Sequence, residues 1–355
     1  MTGKDSTNAQ RPDLCPNSDD TIHVVLAVYD PSGTYSQHAG VVMTSIFENT
    51  HSKVTVHILH DDTLTEDNRR KFLRTAEKYS QGIELHDVME YRKRIGNYLE
   101  DFFAGHYTVG MLYKLTIHDI IPFTKVIYLD GDVMVNLDIK ELWDIEVEDN
   151  YIAAAYDEVV LRNGASAISF WPLLCRLNGY RYSTYINSGV LVMNLTKIRG
   201  LGNFLQDSID WLKMHIHQPS CGDQDVFNAL FYGHIKHLNQ RFNRQLCWKM
   251  TNDDLSGSII HTNHRKPWKV FPKMPTDRLY WEIFLRSPWG ENVTCEELID
   301  ILSNIPEAQL YRRISYKDCV KSILYKVRFS NLRTIAGILF REVLYRLKCR
   351  FTRRS

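Results

Sequence analysis

The chain has 355 residues, 44% hydrophobic and 24% charged, which is ordinary for a globular protein and enough for one large or two small domains with a substantial core. Its net charge of +1 hides an asymmetry: residues 311–355 carry thirteen Lys/Arg against two Asp/Glu, a balance of +11, and the remaining thirty basic and forty acidic residues leave −10. Seven widely spaced cysteines with no CxxC pair argue against a disulfide framework or a cysteine-ligated zinc site and fit a reducing cytosol, and no apolar stretch approaches the length of a membrane span.

In chain order, Met1–Asp20 is polar and lacks the apolar core of a signal peptide, so it is expected to be disordered. Residues 22–28 read as a buried strand, followed by a loop over Tyr29–Thr34 and a helix over 37–49. Val54, Val56 and Ile58 alternate with Thr55 and His57, which marks a second strand. Thr65-Glu66-Asp67 opens a helix to about Tyr79, with acidic residues in its first turn. A short strand over Ile83–Val88 comes next. Residues 108–120 carry helical periodicity ended by Pro122. Strands are expected at Val126–Asp130, Tyr151–Ala155 and Ile186–Leu195, and helices at Leu201–His217 and Gln224–Phe231, the last entered from the loop Ser220-Cys221-Gly222-Asp223. Alternating strands and helices predict an α/β architecture with a largely parallel sheet. In such sheets ligands bind beyond the carboxyl ends of the strands.

One such end is Val126-Ile127-Tyr128-Leu129-Asp130-Gly131-Asp132. On an extended backbone residues i and i+2 share a side, so two carboxylates leave the strand together. They repel unless a cation lies between them, and oxygen ligands suit a hard divalent ion such as Mg²⁺ or Mn²⁺. Asp-Gly after an apolar run, with Val133-Met134-Val135 following, is equally a hairpin signal. A second segment, Ile259-Ile260-His261-Thr262-Asn263-His264-Arg265-Lys266-Pro267-Trp268, puts a histidine at a strand end and a lysine in a loop stiffened by Pro267 and Trp268. Histidine is a common metal ligand and lysine a common phosphate partner. Each is also a common packing residue.

Four ordered blocks carry a resemblance: Leu129-Asp130-Gly131-Asp132, Ile186-Asn187-Ser188-Gly189-Val190-Leu191-Val192-Met193-Asn194-Leu195, Gly222-Asp223-Gln224-Asp225, and His261…Lys266-Pro267-Trp268. In this order, over roughly residues 22–290, the chain resembles glycosyltransferase family 8. Those retaining, nucleotide-sugar-dependent enzymes include lipopolysaccharide galactosyl- and glucosyltransferases and glycogenin. The resemblance implies a GT-A (Rossmann-like) domain over residues 21–290, with 1–20 disordered and 291–355 a helical, basic extension. It favours the metal reading of Asp130 and Asp132, with His261 as third ligand, holding Mn²⁺ or Mg²⁺ on the diphosphate of a UDP-hexose. It assigns Lys266 to the diphosphate, Asp223 and Gln224 to the donor sugar, Asn187 and Asp157 to the sugar and acceptor pocket, and Ala27, Tyr29 and Asp30 to the nucleotide. Lys114 and Gly131 complete the donor site.

Three departures stand out. Lys114 replaces the family's arginine, which keeps the charge and loses the bidentate fork. His264 replaces the glycine of HxxG. The first loop reads Tyr29-Asp30-Pro31-Ser32-Gly33-Thr34-Tyr35 in place of an Asp-rich run, and Tyr35 is either a base-stacking or a core residue. Gln224 is a poor nucleophile, so front-face attack is expected over double displacement. Asp157, Asp223 and Asp225 are the carboxylates that would serve the alternative, and Asp225 reads more simply as helix N-terminal charge.

The expected reaction is transfer of glucose or galactose to a glycan or glycolipid acceptor, such as lipopolysaccharide. The other readings are a self-glucosylating, glycogenin-like enzyme and a catalytically silent sugar-nucleotide-binding scaffold. In the basic tail, Val320, Ile323, Leu324 and Val327, then Ile335, Ile338, Leu339 and Val343, follow helical spacing among Lys and Arg. This pattern predicts docking on the anionic inner face of the membrane, with packing against the acidic body as the plainer alternative. No nucleic-acid motif is present.

Overall fold

A computed structural model describes residues 21–96, 108–164, 180–214 and 222–303. The expectations for residues 1–20, for 215–217 of the helix after Leu201, for Ser220-Cys221, and for the basic segment 311–355 fall outside them. Among the described residues no helix is long and apolar enough to cross a membrane.

The strands are β1 (Thr21–Val28), β2 (Lys53–His60), β3 (Gly82–Asp87), β4 (Lys125–Leu129), β5 (Val133–Asn136), β6 (Ile152–Tyr156), β7 (Ile186–Asn194), β8 (Ile235–His237) and β9 (Ser258–His261). Seven form one sheet, ordered β3-β2-β1-β4-β7-β6-β8, and β5 pairs with β9 in a second, small sheet. The large sheet is parallel except at β7, which runs antiparallel to both β4 and β6. This is a GT-A fold.

Both faces of the sheet are covered, which explains why the central strands are apolar runs with little polar alternation. Ile22, Val24, Leu26 and Val28 of β1 pack into one cluster with Val42, Met43 and Ile46 of the helix α1 (Ser36–Asn49). Val25 and Ala27 join the opposite cluster with Tyr128 and Leu191. Each fully buried aliphatic side chain contributes about 1.5–3 kcal/mol, so β4, with Val126, Ile127 and Leu129 all inaccessible, is a rigid base for the residues that follow it. The helix α2 (Glu66–Lys78) starts at Thr65, whose hydroxyl accepts the Asn68 N–H at 3.2 Å.

The segment 108–120 is helical but opens as a 3₁₀ helix over Val109–Thr116 before one α-turn at Ile117–Ile120. The Thr116 hydroxyl bonds the Tyr113 carbonyl three residues back at 2.7 Å, in keeping with the tighter winding. The helix Met89–Gly96 was not expected from sequence, because Glu90-Tyr91-Arg92-Lys93-Arg94 presents little apolar periodicity. A further helix, Pro275–Arg286, packs Tyr280, Ile283 and Phe284 against Met134 and Ile260 of the small sheet. Leu298 and Leu302 of the helix Cys295–Ser303 join the same cluster, so the body continues past residue 290.

Candidate active site

The hairpin reading of Asp130-Gly131-Asp132 does not hold. β5 does not return along β4; it pairs with β9, setting Val133 opposite His261. The Asp132 carbonyl accepts both the Thr262 N–H at 2.9 Å and the Thr262 hydroxyl at 2.7 Å. This suture fixes His261 beside the aspartates although 130 positions separate Asp132 from Thr262. Asp130 lies one residue past the end of β4, yet its N–H still bonds the Gly189 carbonyl at 2.8 Å.

The side chains of Asp130, Asp132 and His261 lie together. His261 Nε2 lies 3.2 Å from Asp132 Oδ1 and 3.7 Å from Asp130 Oδ2. Ligand atoms of all three fall within 4.8 Å of one another. Two glycines make room. A Cβ at Gly189 would stand 2.2 Å from His261 Cε1 and 2.9 Å from Asp130 Oδ2, and one at Gly131 would stand 2.8 Å from the Tyr35 hydroxyl.

The histidine's tautomer follows from a chain of hydrogen bonds beginning at the backbone. The Gly189 N–H donates to Asn187 Oδ1 at 3.0 Å, which makes that atom the acceptor. Asn243 Nδ2 therefore donates to it at 2.9 Å, and Asn243 Oδ1, 3.0 Å from His261 Nδ1, accepts a proton carried there. The Nε2 lone pair is left facing the carboxylates, the form a metal-binding imidazole requires. Nothing in the sequence of Asn243 singled it out.

Two lysines balance the acidic groups. Lys114, 2% exposed, lies 2.9 Å from Asp130 Oδ1 and 2.8 Å from Asp223 Oδ2. Burial would lower its pKa, but the two carboxylates outweigh burial and hold the ammonium up at about 12. Lys266 is ion-paired with Asp132 Oδ2. Burial opposes ionisation of Asp132, yet the Lys266 ammonium holds its carboxyl well below the usual range. Burial raises the Asp223 carboxyl, and Lys114 only partly offsets this. Asp130, Asp132 and Asp223 against Lys114 and Lys266 leave one net negative charge. A divalent ion would turn that into one net positive charge, suited to a diphosphate. The donor set of two carboxylates and one imidazole with a free lone pair therefore fits such an ion.

Gln224, Asn187 and Asp157 form one network. Gln224 Oε1 accepts from Asn187 Nδ2 at 2.9 Å and the Ser188 N–H at 3.2 Å, and Gln224 Nε2 donates to Asp157 Oδ2 at 3.2 Å. Asp157 Oδ2 also accepts from Asn187 at 3.1 Å, while its Oδ1 takes the Val159 and Val160 N–H groups at the start of the next helix. Asp223 Oδ2 accepts the Ser188 hydroxyl at 2.7 Å besides its ion pair. Asp225 stands in the first turn of the helix Asp223–Leu230, in keeping with the helix-charge reading, and its Oδ1 also accepts the hydroxyls of Tyr180 and Tyr185 at 2.9 and 2.5 Å.

Ala27, near the end of β1, and Tyr29, just past it, lie beside the end of β4, because Leu26 is the register partner of Leu129. Asp30 is almost wholly buried. Its carboxylate accepts the Tyr35 and Ser36 N–H groups at 2.7 and 2.8 Å and the Ser36 hydroxyl at 2.6 Å, shaping the loop into α1. Tyr29 packs on Gly110, with the Arg92 guanidinium 5.5 Å from its ring centre. His264 lies in a turn closed by the Arg265 N–H to the Thr262 carbonyl at 3.2 Å and needs no left-handed backbone. Arg265 then grips buried Asp277 with two bonds of 3.1 and 2.7 Å, and Trp268 stacks on His38 at 3.6 Å. These contacts steady the loop that presents Lys266.

A GT-A fold with an Asp-x-Asp pair at the carboxyl end of its central strand defines a glycosyltransferase. The chain belongs to glycosyl transferase family 8, whose family profile matches residues 27–270. It is 28% identical over 218 residues to a putative glycosyltransferase of Haemophilus influenzae, covering 61% of this chain and 62% of that protein's length. It is 25% identical over 317 residues to a lipopolysaccharide 1,2-glucosyltransferase of Escherichia coli, covering 83% and 84% of the two chains. Among solved structures it is similar to the galactosyltransferase LgtC, with a TM-score of 0.62 and 22% identity over 79% of this chain and all of that one.

Proposed function

We propose that the protein is a retaining hexosyltransferase that moves glucose or galactose from a UDP-sugar to a glycan acceptor. The observation that carries this reading is the convergence of Asp130, Asp132 and His261 within 4.8 Å, flanked by two lysine ammonium groups. Asp130, Asp132 and His261 would hold Mn²⁺ or Mg²⁺. When bound, such an ion supplies Lewis-acid neutralisation of the leaving diphosphate. Lys266 adds a second positive charge where negative charge builds as the sugar–oxygen bond breaks. Asn243 holds the His261 proton on Nδ1 throughout.

Retention is assigned to front-face attack, in which the departing phosphate oxygen takes the acceptor's proton. Two observations support this over a covalent intermediate. Asp157 has both oxygens engaged by four donors, and Asp223 is tied to Lys114 and Ser188, which leaves neither a ready nucleophile. Gln224, anchored at both ends of its amide, serves to position the sugar.

The acceptor class is supported by two relatives named for lipopolysaccharide glycosylation. A lipid-linked acceptor at the cytoplasmic face of the membrane suits the +11 segment 311–355, for which we assign docking on anionic lipid. Hydrolysis of UDP-glucose and UDP-galactose with Mn²⁺, in wild type and Asp132→Ala, tests the site; equal turnover in both overturns it and restores the silent-scaffold reading. Removal of residues 311–355 should abolish sedimentation with anionic liposomes, and persistence of binding refutes the docking role.

A further inference from the structure

We infer that His57, Glu84 and His86 form a second divalent-metal site, suited to Zn²⁺, that clips the edge strand β3 to β2. The inference stands independently of the sugar-transfer reading, because β4, which carries Asp130, lies two strands beyond β2 in the sheet.

The sheet register builds the cluster. His57 is the direct partner of Glu84, and His86 lies two residues further along β3, on the same face. Three ligand atoms converge. His57 Nδ1 is 3.0 Å from His86 Nε2 and 3.2 Å from Glu84 Oε2, and His86 Nε2 is 3.4 Å from the same oxygen. Ligands bound at about 2.1 Å in tetrahedral array stand about 3.4 Å apart, so a small outward adjustment accommodates an ion. Two imidazoles and one carboxylate favour zinc over the harder ions that suit the oxygen-rich site at Asp130.

The surroundings match what such a site requires. His57 Nε2 faces His23 Nδ1 at 3.0 Å, and His23 is itself stacked on Phe123 at 3.5 Å. With Nδ1 on the ion, the His57 Nε2–H donates to His23, an outer partner that fixes tautomer and ring orientation. Exposure is graded: the side chain of His57 is inaccessible, His86 is 19% exposed and Glu84 49%. The cluster therefore opens to solvent at the sheet edge, with an entry path and a fourth position for water. An ion held there would lock an edge strand that otherwise offers its backbone to other chains.

The test is Zn²⁺ binding to the untagged full chain by equilibrium dialysis, in an Asp132→Ala background that removes the first site. That protein should keep one Zn²⁺ per chain and melt at a higher temperature with zinc than without. Adding Glu84→Gln and His86→Gln should weaken binding at least tenfold and remove the thermal shift. Should that combination unfold, Glu84→Gln alone, at a half-exposed position, should still lower affinity by at least tenfold. In an otherwise natural chain, Glu84→Gln should leave UDP-hexose turnover unchanged. No zinc retained by Asp132→Ala, or undiminished affinity after the Glu84 substitution, overturns the site.

Discussion

Asn243→Leu isolates the part of the site that sets the protonation of His261. The leucine fills a similar volume but accepts nothing from His261 Nδ1 and donates nothing to Asn187 Oδ1, replacing bonds of 3.0 and 2.9 Å. Asn187 Oδ1 keeps the Gly189 N–H, so that half of the loss is mild. His261 Nδ1 is left buried without an acceptor, a loss of about 1–3 kcal/mol of folding stability. The imidazole can relieve this by moving its proton to Nε2, which removes the lone pair aimed at Asp130 and Asp132. Loss of such an outer partner typically weakens metal binding about 10–100-fold, or about 1.4–2.7 kcal/mol. Mn²⁺ affinity is read from the electron paramagnetic resonance of the free ion, and stability from urea unfolding. Asn243→Asp provides the contrast: it accepts the His261 proton but sets a carboxylate against Asn187 Oδ1, so it should keep most of the Mn²⁺ affinity and lose stability. If Asn243→Leu folds and binds Mn²⁺ within twofold of wild type, the tautomer argument is wrong.

Other expectations follow from the same geometry. Gly189→Ala places a methyl group 2.2 Å from His261 Cε1; overpacking of this kind destabilises by about 1–3 kcal/mol, and Mn²⁺ titration should show weaker binding, whereas wild-type affinity and melting temperature would refute it. Lys114→Met strands two carboxylates, Asp130 and Asp223, without their shared cation. It should destabilise the metal-free protein by about 3–5 kcal/mol in urea, with saturating Mn²⁺ restoring part of the loss. A third prediction concerns pH. Burial, with a contribution from Lys266, pushes His38 down to about 3. Its folded value is depressed, so below about 6.5 the unfolded chain takes up a proton that the folded chain refuses, and stability falls as pH falls from there toward 3. Between pH 7 and 5 the His38 share is about 2 kcal/mol. Urea titrations at both values should show wild type losing that much more than His38→Gln; parallel losses in the two proteins would contradict it.

The strands β1, β4 and β7 were legible in the sequence because burial on both faces leaves apolar runs that few other environments tolerate, and β2 was legible by the alternation of Val54, Val56 and Ile58 with Thr55 and His57. The Asp130 and Asp132 pair was legible for the same reason: two charges ending such a run have to emerge together on one side. His261, Lys266, Gln224 and Asn187 were legible only as blocks in a familiar order, since nothing local distinguishes a ligating histidine from a packed one.

What the sequence determined by itself was therefore the strand-and-helix alternation and the chemistry placed at strand ends. Tertiary structure alone decided that β5 pairs with β9, which turned an Asp-Gly turn signal into a wall of the candidate metal site. It also decided the roles of Asn243 and Gly189 and the meeting of His57 with Glu84 and His86. Local periodicity specifies which face of an element is buried. Which element comes to lie against that face depends on register and packing across the whole sheet, and no residue's immediate neighbours encode it.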